Sequence, residues 1–265
     1  NYHIIIIVKI SKIIIYKEPS VPKINLDKIK EFIFKEFRIK IEIRDNIFNK
    51  LDKSTCEKIA STRIFNLKKS FEKHNPTVNE ILIELENKDM SNKEEMALYD
   101  GIELNEIIKE LIPKEENNQN TLHIIFTNKL TCTFDQNDFK YHARTWIGSN
   151  PAIISTTGII EAPAKPKQYY IDIITNISKE SIEEIKKKYK GEFLEYNDPR
   201  LSDIVEGVLL QIIFYYETGD VFCEDNQCRL FNAHWQKDLF ISQIENKKIC
   251  EKHEKVLSKM KNKIS

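Results

Sequence analysis

Four side chains toward the C-terminal end have the types and spacing of a metal site: Cys223, Cys228, Cys250 and His253. The segments FCEDNQC and ICEKH give Cys-x4-Cys, 21 intervening residues, then Cys-x2-His. Zinc favours a closed tetrahedron of thiolate and imidazole ligands, and two close pairs on separate segments can supply one. Cys250 and His253, three apart on an expected helix, share a face. His234 competes for the fourth position, since it too lies near Cys228, but Asn232 and Trp235 beside it point to a packed helix start. The reading expects one structural zinc per chain, pinning the loop after a long helix to the C-terminal helix. Buried free thiols with a surface histidine are the bland alternative, and three of the five cysteines falling within 28 residues argues against it.

The elements that must position these ligands are legible in outline. Lys12 to Lys17 reads as a strand, Pro19 and Pro22 as a break, and Asn25 as the cap of an amphipathic helix bearing Leu26, Ile29, Phe32 and Ile33. Arg38 to Arg44 alternates Ile with charge and reads as a second strand. Helices are expected at Ser54 to Phe65, Leu67 to Lys73, Val78 to Asn87 and Leu104 to Leu111, with Pro76 and Pro113 as stops. Lys114 to Asn120 is the best linker candidate and divides an N-terminal α/β region, 1–113, from a second domain, 121–265. Strands follow at Leu122 to Thr127, Tyr141 to Ile147 and Ala152 to Thr157. Ser178 or Ser181 opens a charged helix that ends at Gly191. Asp198 and Pro199 open a longer one with the apolar face Leu201, Ile204, Val205, Val208, Leu209, Ile212 and Ile213, terminated by Gly219. The fold class expected is α/β (α+β): a mixed sheet with helices and a C-terminal zinc segment.

Lys plus Arg and Asp plus Glu both number 41, so no net field draws a polyanion, and general nucleic-acid binding is not expected. Lys9 and Lys12 interrupt the apolar start before it could span a bilayer, and residues 1–11 read as an extension with little structural role. An odd number of scattered cysteines argues against a secreted disulfide framework and for a reducing, cytoplasmic location.

Around Gly219, Cys223 and Cys228 the chain resembles the archaemetzincins, whose motif HExxHxxGxxHCx4CxM joins a catalytic zinc site to a second, cysteine-bound zinc. Cys250 and His253 stand where that family closes the second site with a CxxC pair. Counting back from Cys223, the first histidine position holds Ile212, the glutamate position Ile213, the second histidine Tyr216 and the third Phe222, while the methionine position holds Leu230. A peptidase of this type needs two histidines at i and i+4 with a glutamate to take a proton from zinc-bound water. Ile, Ile, Tyr and Phe supply none of that, so the resemblance implies a pseudoenzyme. The segments YHARTWIG, PAIISTTGIIEAPAKP and FCEDNQCRLFNAHWQ are similar, across residues 122–257, to an uncharacterised archaeal family known only by a metallopeptidase label. That likeness implies a metzincin-like domain and no established reaction.

Other polar residues offer weaker catalytic candidates. His142 and Arg144 alternate along an expected strand, while Glu217, Asp220 and His234 lie near the zinc segment. Cys132, in TCTFD, has no base nearby and reads as a small buried residue. The chain has no phosphate-cradling glycine loop, dinucleotide fingerprint or serine elbow. Two functions of different class follow. One is a zinc-stabilised, metzincin-like protein that has lost hydrolysis and binds a peptide or protein partner in the remnant cleft. The other is a working metal-dependent hydrolase with an unrecognised ligand set drawn from His142, Glu217 and His234. An adaptor with a zinc-ribbon-like tail is a third reading.

Overall fold

A computed structural model describes residues 10–18, 24–87, 96–148, 150–176 and 179–264. The elements begin with β1 (Lys12–Tyr16), α1 (Leu26–Phe37), β2 (Lys40–Arg44), α2 (Lys53–Ala60), α3 (Val78–Leu85), β3 (Leu98–Asp100) and α4 (Gly101–Leu111). Each of these helices starts where a short polar side chain can satisfy free backbone N–H groups: Asn25 caps α1, Asp52 α2, Thr77 α3 and Asp100 α4. The next group is β4 (Thr121–Thr127), β5 (Leu130–Asp135), β6 (Lys140–Ala143), β7 (Trp146–Gly148), β8 (Ala152–Ser155) and α5 (Thr156–Glu161). After it come α6 (Lys167–Thr175), α7 (Lys179–Lys188), α8 (Leu201–Thr218), α9 (Gln236–Phe240), a π-helical turn (Ile241–Asn246) and α10 (Glu251–Ile264).

The main sheet has the order β2-β1-β4-β8-β7, parallel except for β7, which runs antiparallel to β8. Strands β1 and β4 are apolar at successive positions because both faces are covered. Ile13, Ile15, Leu122, Ile124 and Phe126 face a core shared with α1, α8 and α10, whereas Ile14, Tyr16 and Ile125 face Phe48, Tyr99, Leu104 and Ile108 on the opposite side. A second sheet, β3-β5-β6, lies beside it. Strands before and after residues 114–120 pair directly, Ile13 with Leu122 and Ile15 with Ile124, so the linker candidate falls inside one sheet.

Several expectations are corrected. The single strand expected from Tyr141 to Ile147 changes sheet midway: Arg144 N–H bonds the Thr131 carbonyl, while the next residue, Thr145, accepts from Ser155 N–H. Leu67 to Lys73 forms one turn followed by irregular chain rather than a helix, and α2 ends at Ala60. Asp198 does not cap α8; it accepts hydrogen bonds from Arg200 N–H and Nε–H in a preceding turn, and the helix begins at Leu201. Strands β3 and β5 and helix α6 were not anticipated. Helix α6 exists because Tyr169 and Ile173 pack on Ile185, Tyr189 and Phe193. Residues 1–9 and Ser178 lie outside the described residues. Ile10 is part of the core, and its N–H donates to Glu217 Oε1 at 2.7 Å, so the expected extension does not reach residue 10.

Candidate metal centre and adjoining cleft

Helix α8 organises the C-terminal region. It is buried along most of its length, and Gly219 ends it at φ 78°, a left-handed conformation that glycine adopts without Cβ strain. The following loop folds back on itself. Cys223 N–H bonds the Leu230 carbonyl at 2.9 Å, Cys228 N–H bonds the Asp225 carbonyl at 3.0 Å, and Arg229 N–H bonds the Lys248 carbonyl at 2.7 Å. The Arg229 guanidinium reaches α8, pairing with Glu206 at 3.0 Å. Cys250 sits just before α10, with its carbonyl accepting from Glu254 N–H, and this places His253 in the first turn.

These constraints bring one ligand atom from each of Cys223, Cys228, Cys250 and His253 within 4.8 Å of one another. Cys223 Sγ and Cys250 Sγ are 3.8 Å apart, Cys228 Sγ and His253 Nδ1 3.8 Å, and Cys250 Sγ and His253 Nδ1 3.1 Å. A tetrahedron with Zn–S bonds of about 2.3 Å has edges of about 3.8 Å, so the arrangement fits a zinc ion. It does not fit a disulfide, whose sulfurs are about 2.0 Å apart. Cys250 N–H also points at Cys228 Sγ, 3.3 Å away, a donor suited to a thiolate.

Electrostatics agree with the donor set. Burial pushes the Cys228 thiol up to about 12 and raises Cys223 as well. Burial also opposes ionisation of Cys250, but donors from His253 and Lys252 N–H and from the neighbouring thiols outweigh it and lower its pKa. Without a cation, three thiolates cannot share this space. His253 is only 4% exposed, and burial, aided by Lys252, favours its neutral form, the one that binds metal. His234 takes no part: it is exposed and lies 3.4 Å from Asn232.

A cleft of about 680 Å³ lies between α8 and β7 and shares a wall with this centre. Phe222, beside Cys223, lines it, as does Phe231, which bridges to Cys223. Its floor is Val208, Gln211 and Tyr215 of α8. Gln211 braces both sides, accepting from Trp146 Nε1 at 3.3 Å and donating to the Phe231 carbonyl at 3.1 Å. Trp146 packs near Tyr215 and Phe222. Gln243, in the π-helical turn, comes so close to α8 that a Cβ on Gly207 would lie 1.6 Å from its Oε1.

The positions matched to a peptidase motif do not all meet here. Ile212 and Ile213 are buried in the core on another face of α8, Tyr216 bonds the Gln119 carbonyl, and Leu230 is buried. Phe222 alone of that set lines the cleft. Of the weaker candidates, His142 pairs with Asp138 on the β5-β6 hairpin and Glu217 receives Ile10 N–H, so neither shares a site with His234, which lines the cleft. Cys132 is buried, and burial pushes its thiol up to about 12, the reverse of a reactive cysteine. Gln211 and Tyr215 were missed. Their signal was two polar-tipped residues at i and i+4 in the apolar stretch Val208 to Tyr215 of α8.

The sequence profile of a family described as a probable metallopeptidase family (DUF6775) matches residues 9–260. The chain belongs to this family. The match extends well beyond residues 122–257, the span of the resemblance noted in the sequence. Among solved structures the chain is similar to archaemetzincin from Methanopyrus kandleri, at 9% identity over 96% of each chain with a TM-score of 0.43. It is also similar to a zinc-dependent peptidase from Methanocorpusculum labreanum, at 11% identity over 93% of this chain and 98% of that one, with a TM-score of 0.43. No curated protein matches. No helix among the described residues is long and apolar enough to cross a membrane.

Proposed function

We propose that this metallopeptidase-family chain carries one structural zinc on Cys223, Cys228, Cys250 and His253, has lost hydrolysis, and uses the adjoining cleft to bind a peptide or protein partner. The observation that carries the reading is the cleft itself. Strand β7 is the outer strand of the main sheet, with no partner on its far side among the described residues. Thr145 bonds inward to Ser155, so by the alternation of antiparallel ladders Trp146 turns its N–H and C=O outward. An extended peptide can pair with such an edge while aromatic walls take its side chains. The floor that α8 presents there, Val208, Gln211 and Tyr215, offers neither an imidazole nor a carboxylate to hold a hydrolytic metal.

The zinc-loaded protein is expected to bind unstructured peptides without cleaving them, with one equivalent of zinc per chain by elemental analysis. Turnover of casein or labelled peptides that vanished with a chelator and returned with zinc, in a preparation free of contaminating protease, would overturn this. The rival reading, a working hydrolase, draws on Asp135, Asp138 and His142, whose ligand atoms lie within 4.8 Å of one another on the β5-β6 hairpin. A second zinc equivalent lost on His142→Ala would favour it.

A further inference from the structure

The cleft holds a guanidinium that has no carboxylate partner among the described residues; Glu106, which also lines the cleft, pairs with Lys109. Arg44, Arg63, Arg200 and Arg229 each grip a carboxylate. Arg144 lines the cleft and, among the described residues, forms no ion pair. It is nevertheless held in place. Its backbone N–H bonds the Thr131 carbonyl, and its Nε donates to Thr133 Oγ1 at 2.7 Å. Thr133 is another cleft residue. With Nε committed, the two Nη groups remain as a planar fork, the geometry that takes both oxygens of a carboxylate.

Antiparallel addition, the pairing β7 already makes with β8, sets the direction. A peptide adding antiparallel to β7 starts beside Gly148 and runs toward Trp146, so its C-terminal end arrives at Arg144, two residues before Trp146. Its last side chain then lies against Trp146, Tyr215 and Phe222, an apolar wall. A carboxylate is the one charged group that a peptide always carries at that end. Resting on the peptide-binding reading of the cleft, we propose that Arg144, positioned by Thr133, anchors a carboxylate of the bound peptide, supplied by its own C-terminus. An Asp or Glu side chain at the same place has the same chemistry, and the experiment separates the two sources.

The test uses the full zinc-loaded chain and fluorescein-labelled hexapeptide pools of mixed Ala, Leu, Val, Thr and Phe. Three forms are compared by anisotropy: free acid, C-terminal amide, and amide with Glu as the last residue. A charge-assisted bidentate contact predicts that the free acid binds at least about tenfold tighter than the plain amide. That gap should close in Arg144→Gln and partly reopen in Arg144→Lys. Thr133→Val should narrow it without altering zinc content or melting temperature. Trp146 and Trp235 are the two tryptophans, so in Trp235→Phe a change in Trp146 emission on binding places the peptide in the cleft. A Glu-terminated amide that matched the free acid would assign the anchor to side chains instead of the terminus. Equal binding of acid and plain amide would overturn the carboxylate anchor and leave peptide binding standing, whereas no binding of any pool would remove both.

Discussion

At the scale of single residues, the most demanding charges do not line the cleft. Glu84 on α3 is buried and receives Lys129 Nζ at 2.6 Å, Arg63 Nη2 at 2.6 Å and Tyr99 OH at 2.7 Å. Burial alone would raise its pKa; the Lys129 charge and the hydrogen bonds from Lys129, Tyr99 and Arg63 outweigh it and hold the carboxyl below its ordinary range. A carboxylate depressed in the folded state contributes stability that is fully present above its unfolded pKa of about 4.3 and is lost as pH falls through the lower folded value. Glu84→Gln strands two buried cations and is expected to cost about 3–5 kcal/mol at neutral pH. In urea melts the gap to the parent chain should shrink as pH drops below about 4. A gap that was the same at pH 7 and pH 3 would contradict this account.

At the scale of elements, the Cys/His cluster and the cleft are one construction. Cys223 and Cys228 close a loop whose flanking residues, Phe222 and Phe231, form a cleft wall, and Cys250 with His253 ties that loop to the start of α10. The loop between α8 and α9 has little regular structure of its own, so in the proposed reading a bound zinc would replace packing that the loop cannot supply. Structural zinc contributes about 10–16 kcal/mol of apparent binding free energy in small peptides at neutral pH. Chelation, or Cys250→Ser, should therefore raise hydrogen exchange between residues 220 and 250 and in the first turn of α10, while β1 and β4 stay protected. It should also weaken peptide binding, although no ligand atom of the centre lines the cleft. Unchanged protection in both cases, with no zinc copurifying, would make the site assignment wrong.

For the whole molecule, the main sheet is the unit of stability. Strand β1 lies between β2 and β4, and α1 packs on α8 and α10. A chain beginning at residue 121 would lose β1, β2 and α1 and would expose the edge of β4 and the apolar face of α8. Such an edge invites aggregation. The fragment 121–265 is expected to be insoluble or molten even with zinc, and to be recovered when co-expressed with residues 1–120. A soluble fragment with a cooperative melt would show instead that the C-terminal part folds alone.

Much of the core and the members of the Cys/His cluster could be read in the sequence, because both depend on local pattern. Apolar runs at strand length, the long apolar face of α8, the caps at Asn25 and Gly219, and the Cys and His pairs are signals carried within a few residues of each other. What only the tertiary structure decided is which polar groups converge across long separations. Glu84 meets Lys129 and Arg63, Trp146 meets Gln211 across the cleft, and Arg144, among the described residues, has no carboxylate partner, whereas Arg44, Arg63, Arg200 and Arg229 each have one. The sheet change at Arg144 was equally hidden, since the same residues read as one continuous strand until two neighbouring strands claimed different halves of it. Local spacing sets which residues can share a face; the pairing of distant strands decides which faces meet.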